Sequence, residues 1–409
     1  MRFDTRAVHV GNEADVLTGA VTPPIYTSST FAQAKVGETK GYEYSRSGNP
    51  TRQRLERAVA DLEGGKFGLA FASGLAAETA VAGLLHSGDH VIICNDVYGG
   101  TFRLFNQVFR NFGVSFDRVD ATDPDNLERA IKPNTKMVWM ESPTNPLMLV
   151  LDIREVAKVS KGHGLTLVVD NTFASPCLQN PLKLGATVVV HSTTKYIGGH
   201  SDLVGGAVVT SSQPLYEKVK FLQNATGSVP GPFDCYLALR GLRTIHLRMQ
   251  RHSKNAAAVA EALSEDTARV KDVFYPFRRS SPSYRLARSQ MSAGGGMMAF
   301  RIKGGYKAAS KFLETLKVFT LGESLGGVES LAEHPARMTH ASLPPEERRR
   351  LGITDDLIRL SVGVEDTKDL VEDVKGALRA ALPRPSRPTS GRTGPEGTVG
   401  GRGARRGIP

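Results

Sequence analysis

A lysine flanked by hydroxyls is the first place in this sequence where residue types could do chemistry: Ser192-Thr193-Thr194-Lys195 follows a short apolar run. The amine can form an imine with an aldehyde, and hydroxyls at 192 and 194 can bond an anion lodged beside it. Ser73-Gly74-Leu75 closes another apolar run and opens a helical pattern. The free N–H groups and positive dipole end of a helix start make an anion site, and a glycine there permits close approach. Asp170 ends a wholly apolar run, where a carboxylate can keep a basic ring nitrogen protonated. Tyr98, in Asp96-Val97-Tyr98-Gly99-Gly100, offers a flat face for stacking on a ring. Together these residues point to a lysine imine with pyridoxal phosphate (PLP). A generic nucleotide-binding sheet is the other reading, although no GxGxxG follows the first strand and no GxxxxGKS/T occurs.

Elements must bring these residues to one place. Short apolar runs at 68–72, 90–94, 136–140, 165–169 and 187–190 predict strands. Helical periodicity at 75–85, 101–109, 127–131 and 153–161 falls between them, which is the alternation of a mainly parallel α/β sheet. In such sheets ligands bind beyond the carboxyl ends of the strands, which is where all the residues above lie. Asn49, Pro50 and Gly64 are a cap, a first residue and a stop for an earlier helix. A long helix near 247–263 leads into a smaller α+β domain, and a helix over 367–382, ended by Pro383, closes it.

The chain has 409 residues, 40% of them apolar, which suits a globular protein of two to three domains. Its net charge of +11 is uneven, because residues 383–409 hold six Arg and one Glu. Those 27 residues also contain five Pro, seven Gly and no aromatic side chain, and are expected to be a disordered tail. No basic run interleaved with aromatics indicates nucleic-acid binding, and no stretch is long and apolar enough to suggest a membrane span. The first residues carry no apolar signal-peptide core, and Cys94, Cys177 and Cys235 form neither a disulfide framework nor a metal-ligand spacing. A soluble cytoplasmic protein without a metal is the expectation. His191 and His340 read as packing or surface histidines, and the cysteines as small buried hydrophobes.

Longer segments carry a resemblance. Tyr42-Glu43-Tyr44-Ser45-Arg46-Ser47-Gly48-Asn49-Pro50-Thr51, Asp96 to Thr101, Val168 to Phe173, Ser192 to Tyr196, Gly198-Gly199-His200-Ser201-Asp202 and Glu323 to Ser330 closely resemble the Cys/Met-metabolism family of PLP enzymes, in collinear order over about residues 5–380. The resemblance implies a fold type I PLP enzyme with a large mainly parallel domain (51–246) and a smaller C-terminal one (247–382). It also implies a homotetramer built as a dimer of dimers, with an N-terminal arm (1–50) reaching the neighbour. By motif, Lys195 forms the imine and shuttles protons, Asp170 pairs with the ring nitrogen and Tyr98 stacks on the ring. Gly74, Leu75, Ser192 and Thr194 hold the phosphate, and Tyr44 and Arg46 reach it from the adjacent subunit. Arg359 grips the substrate α-carboxylate, assisted by Asn145 and Ser324, each of which also fits a turn.

Within that family, Gly100 counts against the methionine γ-lyase branch, whose members generally carry cysteine there. Glu323 counts against the cystathionine β-lyase branch, which tends to an aromatic residue. Glu323 and Glu43 supply acidic groups for the distal ammonium of cystathionine. The resemblance therefore implies cystathionine γ-lyase activity, with γ-synthase activity on an acylated homoserine as the alternative, and a non-catalytic relative as the reading from another class.

Overall fold

The computed structural model describes residues 1–341 and 343–383, so that nearly all of the expected tail at 383–409 lies outside the described residues. A seven-stranded sheet comprises β1 (Phe67–Phe71), β2 (His90–Cys94), β3 (Ser115–Val119), β4 (Thr135–Glu141), β5 (Thr166–Asp170), β6 (Val188–Ser192) and β7 (Gly206–Thr210). Their order is β1-β7-β6-β5-β4-β2-β3, and every neighbouring pair is parallel except the two made by β7. Helices connect the parallel strands and cover both faces. This explains why β2, His-Val-Ile-Ile-Cys, is apolar after its first residue and buried at every position.

The pleat sends alternate residues into two cores. Along β1, Leu69 and Phe71 pack in a cluster with Val81, Val138 and Val208, whereas Ala70 packs with Leu55, Val59 and Leu239. The helix Pro50–Glu63 behind β1 starts and stops as its sequence dictates. Asn49 Oδ1 accepts from the backbone N–H of Thr51 and Arg52, Pro50 takes the first turn, and Gly64 ends it at φ +80°.

A five-stranded sheet lies further along the chain: β8 (Val270–Phe274), β9 (Met297–Ile302), β10 (Thr320–Leu321), β11 (Leu331–Glu333) and β12 (Leu357–Ser361), ordered β10-β11-β12-β9-β8. The helix Ile245–Glu265 contributes Ile245 and Met249 to the core behind β1, and Ala256, Val259 and Leu263 to the core of this second sheet. On β12, Ile358 and Leu360 enter that core with Phe300, Phe312 and Val374, so the residue between them, Arg359, belongs to the opposite face. No helix among the described residues is long and apolar enough to cross a membrane. Cys94 and Cys235 are buried and Cys177 half-buried, all as free thiols.

Several expectations shift. The apolar run at 165–169 pairs as Thr166–Asp170 and that at 187–190 as Val188–Ser192, so Asp170 and Ser192 are the last residues of their strands rather than the first of a loop. The helix expected over 101–109 is divided into an α-helical turn Gly99–Arg103, a π segment Leu104–Val108 and a 3-10 turn Phe109–Phe112.

Candidate active site

The carboxyl ends of β1, β4, β5 and β6 border a cavity of about 310 Å³, closed on the far side by Arg359 and the 323–325 loop. Its lining includes Gly74, Leu75, Tyr98, Asn145, Asp170, Ser192, Thr194, Lys195, Glu323, Ser324 and Arg359. The structure thus brings together eleven residues singled out in the sequence. It does not bring Glu43, Tyr44 or Arg46 to this chain's own cavity. Glu43 lines a separate cavity of about 840 Å³ beside Arg57 and Lys220. Tyr44 is exposed, and Arg46 Nη1 donates to the Asn224 carbonyl at 2.9 Å across the outer surface. The physical reason is that the 42–48 segment runs outside the helix Pro50–Glu63, anchored by Arg52, whose guanidinium donates to the Ser45 and Arg46 carbonyls.

The anion cradle is built from two close approaches. Ser73 caps the helix Gly74–Ala82 by accepting from Ala76 N–H at 3.0 Å, which aims the first-turn N–H groups at the cavity. A Cβ on Gly74 would stand 2.9 Å from Ser192 Cβ, and one on Gly206 would stand 2.2 Å from Ser73 O. Because Gly206 pairs with both Phe71 and Ser192, it is the point at which β7 lets the two edges of the cradle meet. The Thr194 hydroxyl is already engaged with Gly205, donating to its carbonyl at 3.2 Å and accepting from its N–H at 3.0 Å.

Lys195 Nζ donates to Ser324 Oγ at 2.7 Å. Burial, reinforced by the Arg359 charge and partly opposed by Glu333 and Glu323, pushes its amine down to about 8. Ser324 holds φ at +94°, a conformation that costs a non-glycine residue roughly 1–3 kcal/mol. The loop is fixed nonetheless: Gly326 N–H donates to Ser361 Oγ at 2.9 Å, and the Ser324 carbonyl accepts from Arg359 Nη2 at 3.0 Å. Arg359 Nη1 donates to Asn145 Oδ1 at 2.9 Å, and its Nε lies 3.1 Å from Glu333 Oε1 as an ion pair without an aligned hydrogen bond. The antiparallel register sets Glu333 directly opposite Arg359, which holds the guanidinium fork at the cavity edge.

Asp170 Oδ1 accepts from Thr172 N–H at 2.9 Å. Burial raises its carboxyl, while Thr172 and the His191 ring oppose that rise. Glu141 Oε2 accepts from Tyr98 N–H at 2.8 Å, placing the tyrosine at the cavity mouth, and its own carboxyl is raised well above the ordinary range by burial and by Asp170. His191 is buried and pairs with Glu63 at 2.8 Å; His340 is also buried. Glu78, Glu141, Thr172 and Thr339 also line the cavity, although the sequence did not single them out. Glu78 had a signal: it lies four residues after Gly74, on the same face of the helix. Thr172 and Thr339 had none, since a threonine in a loop is indistinguishable from any other.

This donor set fits a phosphorylated aromatic aldehyde with a basic ring nitrogen: a helix-start cradle for the dianion, a buried carboxyl for the nitrogen, a ring to stack and a desolvated amine for the carbonyl. Comparison with known proteins agrees with it. A family model described as "Cys/Met metabolism PLP-dependent enzyme" matches residues 4–379. The chain is 51% identical to a cystathionine beta-lyase of Coxiella burnetii and 52% identical to a cystathionine gamma-lyase of Dictyostelium discoideum, in each case over 92% of this chain and 97% of the relative. It is 53% identical to a cystathionine gamma-synthase of Mycobacterium tuberculosis over 91% of this chain and 96% of the relative. A solved cystathionine gamma-lyase from Lactobacillus plantarum, complexed with L-serine, superposes with a TM-score of 0.91 at 47% identity, covering 93% of this chain and 99% of that one. The chain belongs to the PLP-dependent Cys/Met metabolism enzymes.

Proposed function

We propose that this enzyme cleaves L-cystathionine at the γ-carbon, with uptake of water, to cysteine, 2-oxobutanoate and ammonia. Relatives of near-equal identity carry three different activities in their names, so the choice rests on this chain's own cavity. The observation that carries it is the presence of Arg359 and Glu323 in one cavity with Lys195. Cystathionine has an α-carboxylate for the guanidinium and a distal ammonium for the glutamate, whereas an acylated homoserine lacks the second group.

Bound PLP supplies an electron sink for negative charge developing on the substrate carbons. The protein's part follows from its residues. The first turn of the helix Gly74–Ala82 and Ser192 would hold the phosphate, Asp170 would hold the ring nitrogen, and Tyr98 would stack on the ring. Lys195 would hold the cofactor through its side-chain nitrogen and, once free as the amine, would move protons at the substrate α- and β-carbons; Ser324, 2.7 Å away, orients that amine. Asn145 and the Ser324 carbonyl orient Arg359 for the α-carboxylate. Tyr44 and Arg46, absent from this chain's own cavity, serve the phosphate of a neighbouring subunit in a homotetramer with shared sites. Glu43 is carried on the same segment, so any contribution it makes to the substrate's distal end is also to the neighbour.

Gly100 bears on the methionine-cleaving alternative. A Cβ at position 100 would stand 2.3 Å from Tyr98 Cε1, so the tyrosine ring occupies the space a cysteine there would need. The γ-synthase reading is the second one, since a mycobacterial relative of that name is as similar to this chain as the lyases are. The test is a product assay on the purified PLP-loaded enzyme. With cystathionine alone, cysteine and 2-oxobutanoate are expected; homocysteine and pyruvate would mean β-cleavage. Faster formation of cystathionine from acylated homoserine plus cysteine, at matched concentrations, would make it a synthase.

A further inference from the structure

The cavity floor carries a carboxyl that the scheme above does not use. Glu78 stands one helical turn beyond Gly74, is 4% exposed and lines the cavity. Its Oε2 is buried with no hydrogen-bond partner, while the Thr101 hydroxyl bonds the carboxyl group. An unpaired buried carboxylate oxygen is expensive, so the group is stable there as the acid or with a ligand beside it.

The groups facing Glu78 come from every side of the floor: Asp170 at the end of β5, Glu141 at the end of β4, and Tyr98 and Thr101 at the start of the helix Gly99–Arg103, with Arg103 beside the Tyr98 hydroxyl. Three buried carboxyls therefore share this floor, and the Asp170 charge raises both Glu78 and Glu141. Burial and the Asp170 charge push Glu78 up to about 8.

We propose that Glu78 is a positioning residue for Asp170: it is held as the neutral acid and leaves Asp170 the anion that meets the cofactor's ring nitrogen. The inference rests on the role assigned to Asp170 above. When Glu78 loses its proton as pH rises, a second negative charge appears at that end of the ring and stabilises positive charge on the bound cofactor. The residue then sets the alkaline behaviour of the site without touching the reacting carbons.

The experiment titrates the visible absorbance of the PLP-loaded enzyme from about pH 6 to about pH 10, comparing wild type with Glu78→Gln, Thr101→Val and Asp170→Asn. Glu78→Gln should lower the midpoint of the absorbance change by about one pH unit, because the second charge is gone. Thr101→Val should lower it in the same direction by less, since losing a hydrogen bond that favours the ionised form keeps Glu78 neutral to higher pH. A wild-type midpoint in Glu78→Gln overturns the proposal. If far-UV circular dichroism shows that variant unfolded, Thr101→Val decides, and an unmoved midpoint there overturns it. Should Asp170→Asn also titrate like wild type, the role of Asp170 has failed; if only Asp170→Asn differs, the failure belongs to Glu78 alone.

Discussion

Lys195 shows how much a single residue's chemistry depends on what surrounds it. An exposed lysine amine is almost wholly protonated at neutral pH, but burial and Arg359 lower this one to about 8, and the free amine is the form that attacks an aldehyde. Its nucleophilic fraction therefore grows as pH rises through about 8 and then levels off. The rate of PLP uptake by the cofactor-stripped protein, followed by absorbance, should rise with pH and flatten above that value; a rise continuing to about 10 would place the amine in water. Glu323 makes the second residue-scale prediction. Replaced by leucine, it should lower kcat/KM for cystathionine more than for substrates without a distal ammonium, by a factor corresponding to about 1–3 kcal/mol. Equal losses on both would remove the basis for preferring the lyase reading. Gly74, Asp170, Ser192, Thr194 and Lys195 could be picked out from residue chemistry because each ends or follows a strand, whereas Asn145, Glu323, Ser324 and Arg359 came with the family resemblance. Glu78, Glu141 and Glu333 escaped selection because a carboxylate in sequence reads as surface charge, and only the packing shows that all three are buried.

At the scale of elements, the parallel strands were legible because burial on both faces demands unbroken apolar runs, as in β2 and β5. β3 was not, since Ser115–Val119 is an edge strand that is buried only at its last residue and carries two charged side chains. β7 also escaped: it is five residues long and begins at a glycine that reads as a loop. Yet β7 is the element on which the cradle depends. Gly206 lets the Ser73 carbonyl come within 2.2 Å of where a Cβ would stand, and that contact is to backbone, which cannot swing aside like a flexible side chain. Gly206→Ala should therefore displace the Ser73-Gly74 turn and weaken PLP binding at least tenfold, about 1.4 kcal/mol, measured by fluorescence titration of the cofactor-stripped protein. Gly162, with open space around its Cβ position, is the control: alanine there should leave cofactor affinity unchanged.

The whole molecule poses a different question, because Tyr44 and Arg46 sit outside the cavity of their own chain. Arg46 is instead laid over Tyr44, with its guanidinium 5.5 Å from the ring centroid, and bonded to Asn224 on the outer surface. A residue that serves a partner's site makes each site a composite of two chains, and that arrangement has a test that contacts within one chain cannot mimic. In an Arg46→Ala chain the cavity keeps Lys195, and in a Lys195→Ala chain the segment at 42–48 keeps Arg46. A mixed dimer of the two contains one site in which both residues are intact and one in which neither is. Random pairing at equal amounts makes half the dimers mixed, so about a quarter of the sites, and about a quarter of wild-type turnover, should return on mixing two chains that are each nearly inactive. Refolding the two chains together, confirming mixed dimers by differential tagging and then assaying turnover checks this. Recovery to that level assigns Arg46 to the neighbour, whereas mixed dimers without recovery return it to its own chain's surface and remove the argument for a shared site.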